Sequence, residues 1–145
     1  MQTVVHLERI ADSAVDIARV VMRAVGAGAG APDPRTVAGL GDMSLKVTAM
    51  LDHALRAFKE RSRELCLAVA AMEADLDGVY EGLVDRFATA TRDTDNRIGV
   101  LEMDRIARFL QRAGGHAVDI AEAVWFQITG ELREFDHDRS PQQQP

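Results

Sequence analysis

The sequence predicts an all-α protein, an antiparallel bundle of four helices. Three observations carry that reading. Apolar residues recur at intervals of three and four through four long stretches, the period of a helix packed along one face. Aromatic residues make up only 5% of the chain, while Ala, Leu, Val, Met and Glu are plentiful, which favours helix packing over a sheet. Residues 110–121, LQRAGGHAVDIA, also repeat residues 7–18, LERIADSAVDIA, with Leu, Arg, Ala, Val, Asp, Ile and Ala kept in register.

The first helix is expected over about 3–25, with Leu7, Ile10, Ala14, Ile17, Ala18, Val21 and Val25 as its packed face. It runs into GAGAGAPDP, residues 26–34, where alternating glycine and two prolines cannot continue a helix and form a linker. The second helix spans about 35–60, with Pro34 at its first turn and Val37, Leu40, Met43, Val47, Met50, Leu51, Ala54, Leu55 and Phe58 on one face. Gly39 and Gly41 weaken its start by about 1 kcal/mol each relative to Ala. The wholly polar Lys59–Glu64 marks a tight turn, with Ser62 as the N-cap of the next helix; the alternative is one long helix over 35–90.

The third helix, about 63–90, carries Leu65, Val69, Met72, Leu76, Val79, Tyr80, Leu83, Val84 and Phe87, and TRDTDN at 91–96 reads as a loop rich in cap-formers. The fourth, about 95–130, buries Ile98, Leu101, Ile106, Phe109, Leu110, Ala113, Ala117, Ile120, Ala121, Val124 and Ile128. Gly114 and Gly115 in its middle allow a neighbour to approach closely and permit a kink. Trp125 and Phe126 are expected to dock on the end of the bundle. Residues 1–135 thus form one domain, and 136–145 a polar, disordered tail.

Bulk properties limit the function classes. A net charge of −6 argues against nucleic acid as a main partner, because neutralising phosphates takes clustered Lys and Arg. No apolar run reaches the roughly 18–20 residues needed to span a bilayer, so direct membrane insertion is not expected. His6, Glu8, Arg9 and Asp12 interrupt any signal-peptide core, and Cys66 is the single cysteine, so the expected compartment is the cytoplasm.

The candidate chemistry lies in carboxylates. Glu8, Asp12 and Asp16 recur at intervals of four, a gently drifting stripe on a helix. Like charges at this spacing cost about 0.2–0.5 kcal/mol per pair, so the stripe either faces water or takes a cation. Glu73 and Asp77 form a second such pair, with Asp75 and Glu81 nearby. In the second copy of the repeat Gln111 replaces Glu8, Gly115 replaces Asp12, and only Asp119 matches Asp16. The bland reading of the first stripe is a solvated face offset by Arg9, Arg19 and Arg23. His53 and His116 read as packed or surface residues, Met43, Met50, Met72 and Met103 as core filler, and Cys66 as a buried thiol. Glu134–His137 spells E-x-x-H once, in the tail, against the two copies a di-iron bundle uses.

These residues resemble the PhoU family of phosphate-uptake regulators. The resemblance rests on Leu7, Glu8, Arg9, Asp12, Asp16, Ile17 and Ala18, on the partial copy at Leu110, Arg112, Asp119, Ile120, Ala121 and Glu122, and on Glu73 and Asp77 before Tyr80. It spans residues 3–131 and implies one three-helix repeat preceded by the last helix of another, a family member lacking its first two helices. It further implies iron or zinc on the acidic stripes, with Glu8, Asp12, Asp16, Glu73, Asp77 and Asp119 as ligands. Hard carboxylate oxygens suit Fe, Mn, Mg or Ca, whereas a dedicated zinc site prefers softer donors. The implied function is non-enzymatic regulation through contact with a phosphate transporter's ATPase subunit and a sensor histidine kinase. The first helix, deprived of its partners, either folds across the other three or pairs with a second chain; a homodimer is the expected state, given the reach of the 26–34 linker. A metal-free homodimeric adaptor is the alternative, and a carboxylate-bridged metalloenzyme ranks last, because the acids lie beside the apolar faces rather than within them.

Overall fold

The computed structural model describes residues 2–93 and 96–135; the expected tail at 136–145 lies outside the described residues. These fold into helices α1 (Gln2–Gly26), α2 (Pro34–Glu60), α3 (Arg63–Asp93) and α4 (Arg97–Thr129), with no strand among the described residues. Helices α2, α3 and α4 pack against one another as a three-helix core, while α1 touches α4 alone. Arg23 reaches Glu102 at 3.5 Å and His6 reaches Asp119 at 3.0 Å, so α1 and α4, the two copies of the repeat, run antiparallel.

The turns follow from their capping residues. Ala29 N–H donates to Ala24 C=O and Gly28 N–H to Val25 C=O, so α1 closes in a Schellman turn. Asp33 caps α2, its carboxylate accepting from Thr36 N–H at 3.2 Å, and Pro34 takes the first turn, where no N–H is required. The tight turn expected at 59–64 is present. Arg61 adopts a left-handed φ of 52°, and Ser62 Oγ accepts from Leu65 N–H at 3.2 Å to start α3. Asn96 caps α4 through Gly99 N–H and also donates to Gly30 C=O, which ties the first linker to the α4 start. Gly130, at φ 74°, closes α4, and the chain folds back to bury Phe135 edge-on against Trp125.

Met43, Met50, Leu76 and Ile120 are fully buried at the centre of the core, each side chain contributing about 1.5–3 kcal/mol by leaving water. A Cβ on Gly114 would lie 2.3 Å from Leu76 Cδ2, so glycine here lets α3 approach α4, as its position implied. Gly115 has open space around it. α4 runs through both glycines as continuous helix.

Several expectations need correction. The packed face of α1 is turned from the expected one. Ser13, Val20 and Ala24 are buried and Ile10 and Ile17 partly so, whereas Ala14, Ala18, Val21 and Val25 face solvent. Ser13 tolerates burial because its hydroxyl donates to Arg9 C=O at 3.0 Å. On α2, Val37, Leu55 and Phe58 are exposed, because the core is closed over the smaller Ala54 and Ala57. Ile98 and Leu101 at the start of α4, and Phe126 near its end, are also exposed; only Trp125 docks. Helix α3 continues through Asp93 rather than ending near Ala90, with Thr89 and Thr91 hydroxyls bonding back to the Asp85 and Phe87 carbonyls instead of capping a new helix.

Candidate functional site

Two acidic surfaces and one histidine cluster arise from this packing. Along α1, Glu8 and Asp12 are exposed and Asp16 pairs with Arg19 at 3.1 Å. They form the stripe their spacing implied, on a flank that no other described helix covers.

Between α3 and α4 runs an open groove of about 820 Å³. Glu73, Asp77 and Tyr80 line one wall, and Arg108, Gln111, Gly115, His116, Asp119 and Glu122 the other. The geometry explains what the altered second copy does. Gln111, standing where the first copy has Glu8, donates its side-chain N–H to Asp77 Oδ1 at 3.2 Å. A neutral donor thus satisfies a carboxylate that a second carboxylate would have repelled. Arg108 reaches into the same groove and is held by Asp104 at 3.0 Å; that hydrogen bond, then the Asp104 charge, pushes its already high pKa further up.

The residues therefore fit a multi-oxygen metal site only in part. The α1 stripe is one-sided, and the α3–α4 groove lacks the two carboxylates that Gln111 and Gly115 replace. Neither Glu8, Asp12 and Asp16 nor Glu73, Asp77 and Asp119 bring three ligand atoms within 4.8 Å of one another; a hard cation at either would need further oxygens from water or another chain.

Asp119 instead converges with two histidines. His6 comes from the first two turns of α1, while His116 and Asp119 lie three residues apart on one face of α4. Each Nδ1 is 3.0 Å from Asp119 Oδ2, and the two Nδ1 atoms are 3.4 Å apart. Among the described residues this is the one group of three potential ligands so close together. Spacing along one helix did not reveal it, because it forms across the seam between the two copies. The available signal was that His6 directly precedes the first copy while His116 lies inside the second. His53, partly buried on α2, lies with its Nδ1 2.8 Å from the Ala49 C=O of its own helix. Cys66 is fully buried, and burial pushes its thiol above the ordinary pKa of about 9.

The exposed side of α1 is apolar as well. Val4, Ala11, Ala14, Val15, Ala18, Val21 and Met22 face solvent. Their counterparts in the repeat register are Ala107, Gly114, Ala117, Val118, Ala121, Val124 and Trp125, all buried. The face of α4 that meets the rest of the core is thus, on α1, left uncovered by the described residues.

Comparison with known proteins agrees with this architecture. The PhoU domain family model matches residues 40–124. Phosphate-specific transport system accessory protein PhoU homologues align along most of the chain. That of Zymomonas mobilis is 34% identical over 125 residues, 86% of this chain and 51% of its own length. That of Clostridium acetobutylicum is 25% identical over 131 residues (90% and 58%), and that of Pseudomonas aeruginosa 31% over 130 (89% and 52%). The chain spans about half the length of these relatives. No solved structure matches it significantly. No described helix is long and apolar enough to cross a membrane. By its repeat signature, its helical architecture and the family model that covers more than half of it, the chain belongs to the PhoU family.

Proposed function

We propose that the chain is a non-enzymatic regulator of phosphate uptake and phosphate-responsive signalling that works in the cytoplasm by protein–protein contact. The observation that carries this reading is the uncovered apolar face of α1, set on a chain whose relatives are phosphate-transport accessory proteins. Exposed aliphatic residues that share one helix face form the kind of surface a protein partner covers. In this reading two copies pair through α1 as a homodimer. The assembled helices then meet a phosphate transporter's ATPase subunit and the cytoplasmic part of a sensor histidine kinase. Because α1 contacts α4 alone, a partner can take the free face without disturbing the three-helix core. Iron or zinc at the acidic flank of α1, Glu8, Asp12 and Asp16, or in the groove with Glu73, Asp77 and Asp119, would offset carboxylate repulsion. Copy-to-copy contact could bring the missing oxygens.

The experiment is a pull-down of the transporter ATPase and of the kinase's cytoplasmic part on the immobilised chain, with and without added metal. Retention of either, lost on Val15→Asp, supports the reading. Retention of neither under both conditions contradicts it.

A further inference from the structure

We propose that His6, His116 and Asp119 form a binding site for a borderline divalent transition ion of the zinc class, which clips α1 to α4. The site shares Asp119 with the α3–α4 groove, takes no other carboxylate of the acidic stripes, and does not depend on the regulatory reading. Its donors are two imidazole nitrogens and one carboxylate oxygen, a set that suits Zn, Co, Ni or Fe(II) rather than Mg or Ca. The distances fit. A tetrahedral zinc with bonds of about 2.0–2.1 Å has donor–donor edges of about 3.3–3.4 Å. Here the edges are 3.0, 3.0 and 3.4 Å. The three atoms thus form one triangular face, and an ion seated about 1 Å above it would reach all of them at the usual bond lengths.

The rings are tilted by 43° with centroids 5.5 Å apart, so they converge through nitrogen and do not stack. Each side chain is partly open, His6 by 23%, His116 by 16% and Asp119 by 42%, enough for an ion to enter. The cluster lies where two grooves meet. His116 and Asp119 line the α3–α4 groove, and His6 and Asp119 line a second, of about 670 Å³, towards Leu132 and Arg133. The fourth coordination position therefore opens to solvent, where a water or an anionic group can complete the sphere. Cys66, the one thiol, is fully buried and cannot serve.

The consequence is mechanical. Among the described helices α1 contacts only α4, and these three side chains join the two helices near the start of α1. Ion binding couples directly to docking of that helix, because the ligand set exists only when α1 is seated.

The test is calorimetric titration of the chelator-stripped full chain with zinc chloride, alongside the visible spectrum of the cobalt(II) form. Expected are one zinc per chain, a cobalt spectrum of tetrahedral intensity, and a rise in melting temperature with zinc. His6→Asn and His116→Asn should each weaken zinc at least tenfold and abolish the cobalt bands, while Asp42→Asn with Asp52→Asn, two exposed carboxylates of α2, leaves both unchanged. Circular dichroism confirms that each variant is folded; should His116→Asn unfold, His6→Asn carries the test, because His6 lies outside the three-helix core. No saturable zinc in the wild type overturns the proposal. So does zinc bound equally by the histidine variants, which would make the cluster a hydrogen-bonded structural contact only, or binding lost equally in the Asp42 and Asp52 variant, which would make it non-specific.

Discussion

Gln111 donates to Asp77 across the α3–α4 groove at 3.2 Å, at the position where the first copy of the repeat carries Glu8. One amide in place of a carboxylate turns a repulsive pair into a bonded one, and the groove loses an oxygen it could have offered a cation. Reversing the change should reverse both effects. Gln111→Glu is expected to destabilise the chain in chelator by about 1–2 kcal/mol, from a lost hydrogen bond to a charged group and a new like-charge contact. Adding Gly115→Asp, which meets open space, should raise manganese or iron affinity at least about tenfold, or about 1.4 kcal/mol. Chemical denaturation with and without metal checks both.

The adjacent glycines of α4 should respond in opposite directions. Gly114→Ala brings a methyl to within 2.3 Å of Leu76 Cδ2, so the buried Leu76 side chain must shift from its packed position. Overpacking of about 1–3 kcal/mol outweighs the helix-propensity gain of about 1 kcal/mol. Gly115→Ala meets nothing and should stabilise by up to about 1 kcal/mol. Paired melting curves decide.

Cys66 should give stability an alkaline limit. Its thiol is raised chiefly by burial, so the folded state resists forming the thiolate more than the unfolded chain does. A group raised on folding contributes nothing adverse below its unfolded pKa and costs stability as pH rises past it. The denaturation midpoint should therefore fall above about pH 9, and Cys66→Ala should flatten that fall. Modification of the native thiol at neutral pH should be far slower than in denaturant.

Periodicity alone disclosed four helices, Ser62 as a cap, Pro34 at a first turn and the close approach at Gly114, since each is written in local residue order. It misjudged which side of α1 is packed for a physical reason. That helix has two apolar faces, one with Ile10, Ile17 and Val20, the other with Val15, Ala18 and Met22, and spacing cannot say which one α4 covers. Ser13 hid the packed seam further, because its hydroxyl is satisfied by its own helix. The acidic stripe needs only one helix to be visible. The meeting of His6 with His116 and Asp119 requires two helices set antiparallel in a particular register, which no single stretch encodes.

Sedimentation velocity of the wild-type chain at micromolar concentration, beside Val15→Asp and Met22→Glu, tests most directly the claim that α1 carries a second, partner-seeking face. Both substituted residues are exposed, so neither change should lower the stability of the isolated fold by more than about 0.5 kcal/mol. The account predicts a wild-type species of about twice 15.9 kDa, reduced to 15.9 kDa by either substitution. A wild-type chain that sediments cleanly as a 15.9 kDa monomer would contradict it.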